Sequence, residues 1–190
     1  MNRDKAIQEV EKQLSTKRFE HTLRVADSAV QLANRFGVSA EKAELAAVYH
    51  DYAKLRSHEE MRRIILESQL PNDLVQYHPE LWHAPVGAIL VNQEQHVKDR
   101  DVLRAIRNHT TGRAHMNKLE MVVLLADYIE PGRSFPGLDE VREVANKDLI
   151  RACWMSIRNS IQFLMEKESC IYPDTFHAYN DLIRQINGGC

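Results

Sequence analysis

The sequence predicts an all-α protein, and three observations lead to that fold class. Apolar residues recur at three- and four-residue steps along most of the 190 residues, which is the period of a helix rather than of a strand. Glycine and proline are few, with 7 and 6 residues, so long helices can run without interruption. Residues that favour helix starts and stops also bracket the periodic segments. We therefore expect a bundle of helices.

The N-terminal half contains the first clear helices. One is marked by five apolar residues that form a stripe over four turns: Phe19, Leu23, Ala26, Val30 and Ala33. Gly37 supplies its stop, because glycine readily adopts the left-handed conformation that ends many helices. Ser39 and Ser57 are suited to begin two further helices. Prolines then punctuate a looser region over residues 71–83, and Pro85 fits the first turn of the next helix.

The next two predicted helices carry polar residues near their C-terminal ends. Asp99 or Asp101 can cap the segment RDVLRAIRNH, and the residues TTG end it. Asn117 opens the apolar segment KLEMVVLLADYIE, which a Pro-Gly pair closes. The first of these helices ends at His109, and the second carries Asp127.

The apolar pattern in the last part of the chain predicts further helices, which we expect to pack on the helices described above. A long amphipathic helix is marked by five apolar residues: Ile150, Trp154, Ile157, Ile161 and Leu164. Its Trp154 face is either part of the core or the seam of a homodimer. Asp174 or Thr175 is expected to open the final helix.

Nothing in the chain indicates a domain boundary. There is no internal repeat, no low-complexity segment and no evident linker. A length of 190 residues with 44% apolar content suits one domain with a sizeable core. We expect residues 1–190 to form that domain, with a metal-binding core at about 17–133 and additional C-terminal helices at about 138–187.

Composition limits the classes of function. The chain carries 25 basic and 27 acidic residues, and a net charge of -2 argues against wrapping a nucleic-acid polymer or coating an anionic membrane. The 3 cysteines are odd in number and lack zinc-binding spacing, which indicates reduced thiols. No segment has the pattern of a signal peptide or membrane span, so we expect a cytoplasmic protein. Any recognition of phosphate must therefore be local.

Histidines and carboxylates near helix ends are the strongest functional signal. His50 and Asp51 follow the apolar run AAVY, and Asp127 follows MVVLLA. A carboxylate in such an apolar helix is rarely buried without a partner or a bound cation. Taken singly, each of these residues is more often an ordinary hydrogen-bonded side chain. As a set with His21, they favour a shared metal site.

The residue types in this set indicate which metal chemistry to expect. Imidazole nitrogens and carboxylate oxygens suit a first-row divalent ion, and no nearby cysteine supports a thiolate-held structural zinc. The adjacent pair His50 and Asp51 diverges by about 100° on a helix, so one side chain can serve one metal while the other bridges to a second. A bound divalent ion acidifies water, which predicts hydrolysis.

Five motifs over residues 17–133 carry a resemblance to a known family: KRFEHTLRVA, AAVYHDYAK, HAPVGA, IRNHTTG and LADYIEPGR. Their order in an all-helical chain resembles the HD-domain metal-dependent phosphohydrolases. NHTTG and ADYIEPGR make the chain similar, more narrowly, to the YqeK family of symmetrical bis(5'-nucleosyl)-tetraphosphatases. The resemblance implies an HD-domain helical bundle with additional C-terminal helices. It also implies an iron-dependent hydrolase that cuts diadenosine tetraphosphate into two ADP molecules.

The resemblance assigns roles to residues at the proposed metal site. It implies four ligands of a first metal: His21, His50, Asp51 and Asp127. His83 and His109, with Asp51 bridging, would hold a second metal or, with one ion bound, contact phosphate directly. Asp51, His83, His109 and Lys54 are the expected catalytic residues. Iron is the expected metal as one or two ions, with manganese or another divalent ion as the alternative.

Other residues near these motifs are candidates for binding the substrate. Besides His83 and His109, they are Arg18, Lys54, Thr110, Thr111, Arg133 and Tyr172. The basic ones could form a compact cationic pocket for a polyphosphate, whereas the alternative is a solvated surface cation. For Arg24 and Arg113 the two interpretations are evenly balanced. The threonines could instead simply end a helix, and Tyr172 could pack against Pro173 and Phe176.

Two other functions fit parts of the pattern. One is a different HD nucleotide phosphohydrolase, acting on a deoxynucleotide or on guanosine tetraphosphate with the same ligands and another pocket. The other is a nucleotide-binding helical module without catalysis. The motifs NHTTG and ADYIEPGR favour the dinucleoside tetraphosphate as substrate, and the complete ligand set favours an enzyme.

Overall fold

The computed structural model describes residues 3–189 and is built from helices, with no strand in that range. Its ten α-helices in this range are α1 (Arg3–Gln13), α2 (Thr16–Phe36), α3 (Ala40–Tyr49), α4 (His58–Glu67), α5 (His83–Glu94), α6 (Arg100–Asn108), α7 (Lys118–Ile129), α8 (Leu138–Ala145), α9 (Leu149–Glu166) and α10 (Pro173–Ile186). Two short 3₁₀ turns, Asn72–Gln76 and Pro79–Leu81, fill the proline-punctuated region between α4 and α5. The predicted all-α fold class is confirmed.

Helix α7 lies at the centre of the bundle. It packs against α2, α3 and α6 on one side and against α8 and α9 on the other. Its residues from 119 to 126 are all buried, because the apolar segment has no polar face to present to solvent. The helix therefore carries Asp127, in its last turn, directly into the space between α2, α3 and α6.

Capping side chains set most helix starts where the sequence predicts them. Ser39 and Ser57 accept hydrogen bonds from backbone amides at the starts of α3 and α4. Asp99, rather than Asp101, caps α6 by accepting from two backbone amides. Asn117 caps α7 in a reciprocal capping box with Glu120.

The start of α10 differs from the prediction. The helix begins at Pro173 with Tyr172 as its N-cap, and not with Asp174 or Thr175 in that role. Proline is favoured in the first turn because its missing N–H is not needed there. Asp174 instead lies within the first turn, where a negative charge is favourable.

Two further helices were not predicted individually. Helix α1 buries only Ala6 and Val10, so a mostly charged sequence hides its short apolar stripe. Helix α8 follows Gly137, whose φ of 81° is left-handed. It packs on α9, so the predicted C-terminal region contains three helices and not two.

The Trp154 face of α9 packs within the chain. The indole ring lies 5.9 Å from the ring of Tyr179 on α10, and the guanidinium of Arg158 lies over it. This contact supports the core interpretation of the Trp154 stripe over the dimer-seam interpretation. None of the described helices is both long and apolar enough to cross a membrane.

Candidate active site

Three helices bring the four predicted ligands of the first metal together. His21 comes from α2, His50 and Asp51 lie immediately after α3, and Asp127 lies in the last turn of α7. Ligand atoms of His21, His50 and Asp127 lie within 4.8 Å of one another. His21 Nε2 is 3.1 Å and His50 Nε2 is 3.9 Å from Asp127 Oδ1. Sequence positions more than a hundred residues apart thus form one compact cluster.

His83 and His109 lie on the other side of Asp51. His83 is the first residue of α5, and His109 follows the last residue of α6. Asp51 Oδ1 is 3.1 Å from His83 Nε2, whereas Asp51 Oδ2 is 3.4 Å from His50 Nε2. His83 Nε2 and His109 Nε2 are themselves 3.1 Å apart. The two oxygens of Asp51 therefore face two different groups of imidazoles, as a bridging ligand requires.

All four imidazoles have the same hydrogen-bonding arrangement. Each Nδ1 lies 2.6–3.1 Å from an oxygen: Ala47 O for His50, Glu80 O for His83, Ile106 O for His109 and Glu130 Oε1 for His21. Carbonyl and carboxylate oxygens only accept hydrogen bonds, so we assign the hydrogen of each neutral ring to Nδ1; the carboxylates near His21 Nε2 and His83 Nε2 would then share a cation with those atoms. Each Nε2 then presents its lone pair to the shared centre, which is the arrangement of metal-binding histidines.

Two of these Nε2 atoms are buried but lack a hydrogen-bond partner. His21 Nε2 and His50 Nε2 have no hydrogen-bond partner among the described residues, although His21 Nε2 lies close to Asp127 without hydrogen-bond alignment. An unpaired buried nitrogen costs about 1–3 kcal/mol, so such an arrangement favours a further partner. Lone pairs that converge beside carboxylates fit a divalent cation. The donor atoms are nitrogen and oxygen, with no sulfur among them. The residues therefore fit the implied metal.

The protonation states of the carboxylates and of His109 agree with this fit, whereas the pKa of His50 is raised because the adjacent Asp51 outweighs burial. Burial disfavours the charge on Asp127, but the neighbouring His21 and Arg133 outweigh it and hold the pKa of Asp127 well below its usual range. Burial likewise opposes ionisation of Asp51, and His50 and His83 still lower its pKa. Burial, reinforced by the neighbouring imidazoles, lowers the pKa of His109 to about 3. The carboxylates are thus anionic and His109 is neutral, as metal binding requires.

Comparison with known proteins places the chain in a family. The model of the HD domain family matches residues 18–132, which span every one of the six histidine and aspartate residues above. The chain belongs to the HD-domain family. A symmetrical bis(5'-nucleosyl)-tetraphosphatase from Bacillus subtilis is 52% identical over 96% of this chain and 98% of that protein. A protein of the same name from Staphylococcus aureus is 38% identical over 95% and 94%.

A solved structure supports the same family at the level of the fold. The crystal structure of a protein from Clostridium acetobutylicum, described as a predicted HD superfamily hydrolase involved in NAD metabolism, has a TM-score of 0.92 to this chain. It is 38% identical, and the match covers 97% of this chain and 98% of that one. The resemblance of the five motifs to HD-domain proteins is therefore confirmed.

A cavity of about 260 Å³ opens over the histidine and aspartate cluster of this HD-domain protein. Four of the predicted substrate contacts besides the histidines line it: Arg18, Lys54, Thr110 and Arg133. The sequence did not single out the wall that α7 and α9 contribute, which includes Tyr128, Ser156 and Ser160. Ser156 and Ser160 are four residues apart on a helix and so share one face. Their spacing could have been recognised in the sequence as a shared polar face. Nothing in the sequence indicates that this face lines the cavity.

The three basic residues of the cavity each pair with a carboxylate. Arg18 Nη1 donates to Asp51 Oδ2 at 3.0 Å, and Arg133 Nη2 donates to Asp127 Oδ1. Lys54 Nζ donates to Glu80 Oε2 at 2.7 Å and lies 3.5 Å from His83 Nδ1. The three basic side chains and the three carboxylates that line the cavity therefore balance one another in charge.

Two predicted substrate contacts lie elsewhere. Thr111 and Tyr172 line a separate recess of about 20 Å³ and not the main cavity. Thr111 Oγ1 donates to Gly112 O, and the ring of Tyr172 packs edge-on against Tyr77 at 5.0 Å. Thr110 and Thr111 are consecutive residues, so their side chains point in different directions.

Arg24 and Arg113 have structural partners. Arg24 Nε donates to Glu130 Oε2 at 2.7 Å, and Arg113 donates from Nε and Nη2 to Glu120, each at 2.7 Å. Both glutamates are buried, and the sequence analysis identified neither. A glutamate in a turn or in a helix is usually exposed, so only the positions of the two arginines reveal that these carboxylates are internal.

Proposed function

We propose that this HD-domain protein hydrolyses diadenosine tetraphosphate symmetrically into two ADP molecules. The observation that carries the proposal is the buried cluster of inward-facing imidazole Nε2 atoms and carboxylates below a cation-lined cavity. Relatives that bear the name of this activity align with nearly the whole chain, at up to 52% identity. The motifs NHTTG and ADYIEPGR contribute His109, Thr110 and Arg133 to the cavity, which agrees with a family-specific pocket.

The proposal includes a metal held by residues of this cluster. The proposed ligands of the first ion are His21, His50, Asp51 and Asp127, and those of a second ion are Asp51, His83 and His109. We propose iron, with manganese or another divalent ion as the alternative. When bound, such an ion supplies Lewis acidity toward a phosphoryl oxygen and acidifies water. Before a substrate enters, Arg18 pairs with Asp51 and Arg133 pairs with Asp127.

The basic residues bind the polyphosphate in this proposal. Lys54 and Arg133 exchange their carboxylate partners for non-bridging phosphate oxygens when the substrate enters. With only the first ion bound, the neutral His109 can accept a hydrogen bond at Nε2 and so orient a water molecule near the attacked phosphorus. Lys54 and Arg133 then offset the charge that develops on the departing ADP.

The size of the cavity limits how the substrate can lie. Its volume of about 260 Å³ is slightly below the range of about 300–1,000 Å³ that is common for ligand pockets. We infer that it holds the inner phosphates and part of one nucleoside, and that the other half of the substrate extends through its mouth. Tyr128, Leu124 and Ile157 offer apolar surface for the enclosed part.

We also propose that residues 1–190 form a single cytoplasmic domain that assembles as a homodimer. One continuous set of buried apolar residues runs from α1 to α10, which supports a single domain. Phe163 and Met165, near the end of α9, are 57% and 64% exposed and are candidates for contact with a second copy. Light scattering on the intact protein and on a Phe163→Glu variant tests this part, because a monomeric parent would contradict it.

A nucleotide panel separates this function from its rivals. The protein is purified without oxygen, its metal content is measured, and each nucleotide is incubated with the iron-loaded form. ADP as the sole product from diadenosine tetraphosphate is expected. Nucleoside plus phosphate from a deoxynucleotide, or loss of pyrophosphate from guanosine tetraphosphate, would indicate another HD phosphohydrolase. Tight nucleotide binding without turnover would indicate a binding module.

A further inference from the structure

Glu130 is a buried carboxylate at the end of α7 that touches one of the proposed metal ligands. It is 2% exposed, and its Oε1 lies 3.1 Å from His21 Nδ1. Its Oε2 accepts hydrogen bonds from Arg24 Nε at 2.7 Å and from the backbone amide of Gly132 at 2.6 Å. Two donors on Oε2 stabilise the anion, and Oε1 is thereby left to act as an acceptor for His21.

His21 differs from the other three histidines of the site in how its Nδ1 is satisfied. His50, His83 and His109 lie at helix ends, and each uses the backbone carbonyl three residues earlier. His21 lies within α2, where the carbonyl groups of the preceding turn take part in the helix itself. Its Nδ1 therefore needs a side-chain acceptor, and Glu130 is that acceptor.

The turn that follows α7 holds Glu130 in place. A Cβ atom on Gly132 would lie 2.6 Å from Arg24 Nε, so glycine at this position allows the guanidinium to lie against the turn. Arg142 Nη2 donates to the carbonyl oxygens of Glu130 and Arg133, which ties the turn to α8. The carboxylate is thus fixed from its side chain and from its backbone.

We propose that Glu130 is a positioning residue that determines the tautomer of His21. By accepting from Nδ1, it keeps the hydrogen off Nε2 and leaves the Nε2 lone pair free for a metal. Arg24 and Gly132 orient Glu130 for this task. The inference rests on the metal site of the proposed function, and it adds residues that lie outside the ligand set.

Glu130→Gln provides a specific test because the amide has only one oxygen. Arg24 and Gly132 both donate to the Oε2 position, so the amide oxygen is expected to face them and the amide nitrogen to face His21. The amide nitrogen donates, so His21 Nδ1 must become the acceptor and the hydrogen must move to Nε2. The substitution should therefore reverse the tautomer and block the lone pair.

Glu120→Gln is the matched control. Glu120 is 1% exposed, and it accepts from Arg113, from Asn108 Nδ2 and from the backbone amide of Asn117. It is as buried and as fully hydrogen-bonded as Glu130, but among the contacts of the described residues it has none with a proposed ligand. A general effect of removing a buried charge should appear in both variants, whereas an effect on the tautomer should appear only in Glu130→Gln.

The experiment uses the full chain, labelled with ¹⁵N at histidine and stripped of metal. Long-range ¹H–¹⁵N spectra report the tautomer of His21, and titration with Co²⁺ reports metal affinity. In Glu130→Gln we expect the Nε2–H tautomer and an affinity lower by about 10–100-fold. Glu120→Gln should keep the parental tautomer and affinity. Gly132→Ala, which displaces Arg24, should weaken Co²⁺ binding without reversing the tautomer.

Two results would overturn the inference. One is an unchanged His21 tautomer and Co²⁺ affinity in Glu130→Gln, and the other is an equal loss of affinity in Glu120→Gln. By contrast, a parent chain that binds Co²⁺ with the expected tautomer but releases no ADP from diadenosine tetraphosphate would contradict the proposed function alone. The two failures are therefore distinguishable.

Discussion

The inner and outer walls of the cavity differ in how they are held. On the inner wall, Asp51, His83 and His109 are 2%, 3% and 3% exposed, and backbone carbonyl groups fix the two imidazole rings before any ligand arrives. On the outer wall, the side chains of Arg18, Lys54 and Arg133 are 34%, 16% and 35% exposed and pair with carboxylates. The inner wall is thus preformed, whereas the outer wall can exchange partners.

This difference separates two tasks of the site. Metal ligands need one tautomer and one rotamer, which burial and short-range hydrogen bonds provide. Residues that bind a polyphosphate need charge and reach, which long basic side chains provide. Substitutions in the inner wall should therefore remove metal and turnover together, and substitutions in the outer wall should weaken substrate binding while the metal stays.

The largest effect is expected for Asp51→Ala. The carboxylate faces His50 and His83 and accepts from Arg18, so its loss affects both proposed metal positions. We expect no measurable turnover and loss of bound metal, monitored by product formation and elemental analysis. Asp27→Ala, an exposed aspartate on α2, is the control and should behave as the parent. Near-normal activity and metal content in Asp51→Ala would contradict the proposed mechanism.

A smaller effect, of a different kind, is expected for Lys54→Met. This substitution removes a charged donor from the outer wall, and a hydrogen bond to a charged group contributes about 1.5–3 kcal/mol, or roughly 10–100-fold in binding. We expect KM for diadenosine tetraphosphate to rise by that factor and kcat to fall, because Lys54 also offsets charge on the departing ADP, while metal content is unchanged. Lys42→Met, which removes the surface partner of Asp99, should leave KM as it is. Metal loss in Lys54→Met would show that the two walls are not separate.

The acid stability of the metal-free protein tests the inner wall alone. The pKa of His109 is lowered from its ordinary value of 6.5 to about 3, because the buried ring resists charging. Below about pH 6.5 the unfolded chain binds a proton that the folded chain accepts only near pH 3, so the free energy of unfolding should fall as the pH falls through this window. His109→Gln should flatten that part of the profile in urea titrations. An identical pH profile in the variant would contradict the assignment of a neutral, buried His109.

The smallest effect on KM is expected for one of two adjacent threonines. Thr110 lines the main cavity and its Oγ1 lies 3.2 Å from His109 Nε2, whereas Thr111 lines the separate recess. Thr110→Val should raise KM by about fivefold, the equivalent of one neutral hydrogen bond of about 1 kcal/mol. Thr111→Val should leave KM unchanged. If Thr111→Val has the larger effect on KM, the boundary of the substrate site lies elsewhere.

The sequence predicted those parts of the molecule that depend on local chemistry. Capping residues such as Ser57 and Asn117 act within one turn, so they can be recognised without a three-dimensional structure. Asp127 stood out because a carboxylate within an apolar helix is unusual. The resemblance of the motifs to the HD-domain family then linked Asp127 to His21, which lies more than a hundred residues earlier. No rule of residue spacing could have made that link.

The features of the site that could not be predicted from the sequence depend on tertiary contacts. Glu130 and Glu120 have ordinary sequence surroundings, and only their arginine partners, brought close by folding, identify them as internal. Thr110 and Thr111 are neighbours of the same type, and only the packing around them shows that Thr110 lines the main cavity and Thr111 the separate recess. Ser160 is one of several polar residues on α9, and only packing against α7 brings its face to the cavity.

The most direct test of the central claim follows the oxygen of water into the product. Iron-loaded protein is incubated with diadenosine tetraphosphate in ¹⁸O-labelled water, and the products are analysed by mass spectrometry. Symmetrical hydrolysis adds one water oxygen to an inner phosphorus, which becomes the terminal phosphorus of an ADP. The account predicts ADP as the sole product, with one ¹⁸O on the β-phosphoryl group of one molecule in each pair. Formation of ATP and AMP, or ADP without the label, would contradict it.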